Sequence, residues 1–133
     1  MAAFVLDTGI LIRHLRQRRG FRPLLERLAQ DGDLIIASFT RLEIIRWMRE
    51  HERDRTLLLL NSLMTHPLDI PTADHAGELI REQLVRRKTI AGPDAVIAAT
   101  ALIRGAALVT TDPRHFPIPD LKVYKVDEHG MMR

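Results

Sequence analysis

The sequence predicts an α/β fold with a mostly parallel central sheet, on three observations. Ala3-Phe4-Val5-Leu6 and Ala107-Leu108-Val109-Thr110 are apolar without alternation, as strands covered on both faces are. Segments of helical spacing alternate with the strand-like runs, and that order belongs to parallel sheets. The two apolar runs lead into acids, Asp7 and Asp112. In open sheets of this class the ligand crevice lies beyond the carboxyl ends of the strands.

In chain order, the first strand covers about Ala3 to Leu6. A helix follows from near Thr8 to Arg18, with Leu11, Ile12 and Leu15 on one face, and Gly20 breaks it. Phe21 to Gln30 is a second helix with Leu24, Leu25 and Leu28 inward and Pro23 in its first turn, where it is tolerated. Asp31-Gly32-Asp33 makes a turn into the strand Leu34-Ile35-Ile36-Ala37. Ser38 or Thr40 caps a helix to about Glu52, and Arg55 to Thr65 is another, rich in leucine. Pro67 to Ile70 is read as a short strand. Thr72 or Asp74 opens a long helix to about Lys88, with Ala73, Ala76, Ile80 and Leu84 on one face. Gly92-Pro93 breaks the chain, and Asp94 to Arg104 is a small-residue helix ended by Gly105. The strand from Ala107 to Thr110 follows, and Leu121 to Tyr124 is a last edge strand.

Composition narrows the function classes. A chain of 133 residues, 46% hydrophobic and without repeats or linkers, is expected to form a single domain over 1–133. With no cysteine, disulfide scaffolds and thiolate zinc sites are excluded. No signal peptide and no membrane-length apolar run is found, so a cytoplasmic protein with no membrane partner is expected. Net charge is only +3, but six arginines (Arg13, Arg16, Arg18, Arg19, Arg22 and Arg27) face one acid, Glu26, in the same stretch. Arg86-Arg87-Lys88 is a second basic run. Such runs suit a polyanion, and equally suit solvated helix faces.

Four acids, Asp7, Glu43, Asp94 and Asp112, carry the chemistry. Each has a structural explanation of its own. Asp7 can cap the first helix. Thr40-Arg41-Leu42-Glu43 matches a capping box. Asp94 after Pro93 suits a first helical turn, and Asp112-Pro113 a turn. Their joint position is what capping does not explain. All four fall where their segments meet at one sheet edge. Crowded carboxylates repel unless a cation compensates them, and hard oxygen ligands suit Mg²⁺ or Mn²⁺. With arginines to hold a phosphate backbone, the set points to metal-dependent chemistry on nucleic acid.

The stretches Val5-Leu6-Asp7-Thr8, Ser38-Phe39-Thr40-Arg41-Leu42-Glu43, Gly92-Pro93-Asp94-Ala95-Val96-Ile97-Ala98-Ala99-Thr100-Ala101 and Leu108-Val109-Thr110-Thr111-Asp112-Pro113-Arg114-His115-Phe116 resemble, in order and spacing, a PIN-domain ribonuclease of the VapC toxin type. The resemblance implies a three-layer α/β/α domain. It also implies a Mg²⁺- or Mn²⁺-dependent endoribonuclease held in check by a cognate antitoxin. The family's catalytic and metal-binding acids fall on Asp7, Glu43, Asp94 and Asp112, with Thr8 and Thr110 or Thr111 in support. Gly9 departs from the pattern, because the family commonly carries Ser or Asn there.

Arg13, Arg16, Arg86, Arg87 and Lys88 are the candidate RNA contacts. His115 is assigned to surface or packing. Surplus apolar residues (Leu57 to Leu60, Leu63, Trp47, Met48) predict a homodimer and a groove for the antitoxin. The alternative is a PIN-like module that binds RNA or protein without cutting. An aspartyl-phosphate enzyme would want a second acid two residues after Asp7, where Gly9 stands. DNA or flap cleavage by the same fold stays open on sequence alone.

Overall fold

The computed structural model describes residues 2–133. Five strands form one sheet in the order β3-β2-β1-β4-β5, with all four pairings parallel. The strands are β1 (Ala2–Leu6), β2 (Gly32–Ala37), β3 (Met64–His66), β4 (Ala107–Thr110) and β5 (Val123–Lys125). The helices are α1 (Thr8–Leu15), α2 (Phe21–Asp31), α3 (Ser38–Trp47), α4 (Arg53–Ser62), α5 (Ile70–Val85) and α6 (Gly92–Arg104). Short 3₁₀ turns lie at Glu50–Glu52 and Pro113–His115.

Successive strand residues point to opposite faces, and each central strand feeds two cores. Phe4, Leu6, Ile36 and Val109 pack with Ile10, Leu11, Phe21, Leu24, Leu28, Ile44 and Leu60, which come from α1 to α4. Val5, Ile35, Ala37 and Leu108 pack with Ala76, Leu79, Ala95, Ile97, Ala98, Ala99 and Ala101, from α5 and α6. The result is three layers, α/β/α. Absence of polar alternation in β1 and β4 is the direct consequence of covering both faces. Among the described residues no helix is long and apolar enough to cross a membrane.

Several boundaries differ from the sequence reading, each for a local reason. The third strand is Met64–His66, not Pro67 to Ile70. Helix α4 stops at Ser62, which frees those residues to pair with Ile35 to Ala37. Residues 67–70 instead lead into α5, which Asp69 caps by accepting from the Thr72 N–H at 3.1 Å and the Thr72 hydroxyl at 2.6 Å. Helix α3 ends at Trp47 and α1 at Leu15, each earlier than its periodicity suggested. Gly32 and Asp33 already belong to β2. The leucine run divides: Leu60 is fully buried, Leu57 and Leu59 are half-buried, and only Leu58 is exposed.

The C-terminal segment turns back on the sheet. Val126 donates its N–H to the Thr110 carbonyl (2.8 Å), and Arg133 donates to the Lys125 carbonyl (2.8 Å). Gly130 (φ 77°) lies against Gly20 (φ 92°) at the turn between α1 and α2. A Cβ at Gly130 would stand 2.4 Å from the Gly20 carbonyl oxygen. Both the left-handed φ and the close approach exclude a side chain. Gly130→Ala is therefore expected to destabilise the fold by about 1–3 kcal/mol, measured by urea unfolding. An unchanged midpoint would show that this contact contributes nothing.

Candidate active site

The chain order reverses between β1 and β4, so the crevice of the sheet opens at their carboxyl ends. Register fixes what stands there. Leu6 pairs with Val109, and the Asp7 N–H continues the ladder by donating to the Val109 carbonyl at 3.0 Å. Asp7 is thereby set beside Thr110. Its Oδ2 accepts from the Thr110 hydroxyl at 2.7 Å, and its Oδ1 accepts from the Thr8 N–H at 2.8 Å. Asp7 is thus the N-cap of α1 and a member of the acidic cluster at once.

Glu43 lies on α3. Its Oε1 accepts from the buried Thr8 hydroxyl at 2.8 Å, and the same hydroxyl is 3.0 Å from that of Thr40. A hydroxyl has one proton, so Thr8 gives it to Glu43 and Thr40 donates to Thr8. The Thr40–Glu43 capping box is absent: α3 begins at Ser38 after Ala37, and Thr40 is spent on the site. Asp94 occupies the first turn of α6. Asp112 follows β4, with its N–H on the Thr110 hydroxyl at 3.0 Å. Of the two candidate hydroxyls, Thr110 is the one bonded to both Asp7 and Asp112.

Electrostatics show that the four acids share one field. Burial first, and then Asp7, push the Asp94 carboxyl up to about 6, with Glu43 and Asp112 adding and His115 opposing. The helix dipole at the start of α6 favours an anion, yet burial and like charge win. Asp7 is also raised, because burial outweighs its bonds from Thr110 and Thr8. Asp112 is lowered, first by the Arg114 hydrogen bond (Nε to Oδ1, 3.1 Å) and also by His115.

His115 matters more here than its sequence context suggested. Its Nε2 is 3.2 Å from Asp112 Oδ2, and its Nδ1 is 3.9 Å from Asp94 Oδ2. The ring bridges two acids from different elements. The only signal in the sequence was its spacing of three from Asp112.

Among the described residues no group of three or more acids or histidines is placed to hold a metal as the side chains stand. Thr8 and Thr110 hold one oxygen each of Glu43 and Asp7. The donor set itself fits a hard cation. Mg²⁺ keeps several waters and uses only one or two carboxylates directly, so a preformed cage is not required.

Two cavities flank the cluster. Glu43 borders one of about 490 Å³ lined by the apolar Ile12, Leu15, Ile44, Trp47 and Met48 together with Arg16, Arg49, Glu52 and Thr56. Asp112 borders one of about 790 Å³ that also contains Thr111 and Arg13. Arg86 lines a different cavity with Gln83 and Leu102. Arg87 and Lys88, exposed after α5, line neither cavity beside the acids.

Residues 4–120 match the PIN domain family. This chain belongs to the PIN-domain family. Within it, the chain is similar to ribonuclease VapC19 of Mycobacterium tuberculosis, 33% identical over 89% of this chain and 96% of the relative. It is similar also to the tRNA(fMet)-specific endonuclease VapC of Shigella flexneri, 30% identical over 87% of this chain and 91% of that one. Among solved structures, a toxin–antitoxin complex from Klebsiella pneumoniae contains a chain that superposes with a TM-score of 0.73 at 28% identity, over 91% of this PIN domain and 95% of that chain.

The perturbed Asp94 gives a test of the cluster. Its folded value lies above the ordinary 3.8, so the folded state takes up a proton between about 3.8 and 6. Stability therefore falls as pH rises through that window, and the deficit persists above it. In EDTA, Asp94→Asn is expected to melt above the wild type at pH 7.5, with the gap closing as pH drops toward 4. Equal melting temperatures at pH 7.5 would mean that Asp94 carries no unfavourable charge.

Proposed function

We propose that this PIN-domain chain is the toxin of a toxin–antitoxin pair, an endoribonuclease that hydrolyses RNA with Mg²⁺ or Mn²⁺. The observation that carries this reading is the gathering of Asp7, Glu43, Asp94 and Asp112 at the crevice of the sheet, linked through Thr8, Thr110 and His115, where burial and the neighbouring acids raise Asp94. The unfavourable charges of Asp7 and Asp94 at the crevice of the sheet cost stability, and a cation turns that cost into binding. The ribonuclease and endonuclease relatives support the same activity.

Asp7, Glu43 and Asp94 would hold the ion, with Asp112 beside them. When bound, a divalent ion screens the carboxylates from the phosphate and lowers the pKa of a coordinated water. The chain's own residues position the groups. Thr110 fixes Asp7 and the Asp112 backbone, Thr8 with Thr40 fixes Glu43, and His115 spans Asp112 and Asp94. Arg13 and Arg16, which line the flanking cavities, would meet RNA phosphates. Arg86, Arg87 and Lys88 would act only on RNA that extends beyond those cavities.

The cavity beside Glu43, half apolar and half charged or polar in its lining, is the seat we assign to the antitoxin. A segment filling the space between Ile12, Leu15, Ile44, Trp47 and Met48 would reach the acids at its edge. The Klebsiella pneumoniae toxin–antitoxin complex supports a partner of this kind.

Asp7→Asn is expected to leave melting intact and to lower RNA cleavage by at least about a hundredfold, the upper end of what losing a ligand's supporting partner costs. EDTA should abolish wild-type cleavage, and Mn²⁺ should restore it. Wild-type protein that binds RNA but leaves it uncut in saturating Mn²⁺ would favour the non-catalytic binding module. Full activity in folded Asp7→Asn would remove Asp7 from the site.

Exposed apolar side chains (Trp47 at 75%, Ile70 at 78% and Val85 at 85%) support a homodimer. Sedimentation at micromolar concentration is expected to give twice the 15.2 kDa chain mass. A clean monomer would overturn the dimer.

A further inference from the structure

We propose that the cleft of about 790 Å³ between α1 and the C-terminal turn holds the RNA backbone on one side of the scissile bond. Arg13 and Lys125 are its phosphate contacts, and Gly9 makes room for Arg13. The proposal rests on the nuclease reading above and adds to it a strand path, a second cation and a reason for the glycine.

The cleft starts at Asp112 and Thr111, so it is continuous with the acidic cluster. Four full cations line it: Arg13, Arg114, Lys125 and Arg133. Two of them are already neutralised. Arg114 pairs with Asp112 at 3.1 Å, and Arg133 pairs with Asp127 at 3.3 Å. Arg13 and Lys125 form no ion pair with any acid among the described residues. They come from different elements, one from α1 and the other from the end of β5. A strand leaving Asp112 would pass between them, and a single-stranded backbone is tracked by separated cations of this kind.

Arg13 is held, not loose. Its Nη1 donates to the Gly9 carbonyl at 3.2 Å, which folds the guanidinium back along the first turn of α1. Most of its five donors stay available for phosphate oxygens. A Cβ at Gly9 would stand 3.0 Å from that Nη1 and 3.8 Å from Thr111 Oγ1. Gly9 has no left-handed φ that would demand glycine, and glycine weakens a helix. A side chain at position 9 would move the guanidinium end by a few tenths of an ångström.

The turn after β5 is equally fixed. Asp127 Oδ1 accepts the N–H groups of His129 and Met131, each at 2.9 Å. The Val126 and Arg133 backbone bonds described above tie the same turn to the sheet.

The test uses full-length Asp94→Asn protein, in which cleavage is removed, and a fluorescent single-stranded RNA titrated over a range of NaCl in Mg²⁺. Arg13→Ala and Lys125→Ala are each expected to weaken binding about tenfold and to flatten the log–log salt slope by about 0.7, one phosphate's worth on a single strand. Gly9→Ser should weaken binding less than Arg13→Ala and add little on top of it. Arg104→Ala, the same loss of charge at the far end of α6, should change neither quantity. Parent-like affinity and slope in both Arg13→Ala and Lys125→Ala would overturn the proposal. Full additivity of Gly9→Ser with Arg13→Ala would overturn the role of Gly9. Cleavage by the wild type in Mn²⁺ separates the two levels. A cleaving wild type with parent-like variants removes the cleft alone, and a wild type that does not cleave removes the nuclease.

Discussion

The parallel pairing of β1 with β4 is the constraint on which the rest of the molecule depends. It joins strands that are distant in sequence, creates the point where the sheet order reverses, and sets Asp7 beside Thr110. Shifting this register by one residue would turn Phe4, Val5 and Leu6 to the wrong layers and move Asp7 off the Thr110 hydroxyl together. The core and the site are therefore specified by the same hydrogen bonds. The ladder also brings α3 and α6 into reach, because each packs on the strands whose ends it shares.

The acids work against the fold that gathers them. Burial and like charge raise Asp94 and Asp7 even with hydroxyls, a backbone N–H and His115 nearby. Asp112 escapes, because Arg114 and His115 attend it at the more open rim. This gradient, from acids short of positive partners inside to a paired acid outside, is what a divalent ion entering from solvent would meet.

Much of this was legible in the sequence, and the limits have physical causes. The strands at Ala3 to Leu6 and Ala107 to Thr110 were plain because burial on both faces leaves no polar position. Asp7 and Asp112 stood out because they follow strands and Asp94 because it opens a helix, while Glu43, inside α3, was marked only by its distance from the second strand. The third strand was not, since Met64–His66 is a three-residue edge with two exposed side chains and no pattern to read. Helix lengths were overestimated where apolar spacing ran past the last hydrogen-bonded turn, as beyond Leu15 and Trp47. The bridging role of His115 and the fold-back of Arg13 onto Gly9 depend on side-chain direction, which spacing alone does not carry. Thr40 misled in the other direction: its capping pattern is real, but its hydroxyl serves Thr8.

The bond from Thr110 to Asp7 joins positions 103 residues apart. Chains are made from the amino end, and their parts fold as they emerge. A nascent chain halted before residue 94 holds Asp7 and Glu43 but lacks the other two acids and the strand that orients the first. A fragment that ends before residue 94 therefore cannot assemble the acidic crevice, and the crevice is complete only once synthesis has passed β4 and Asp112.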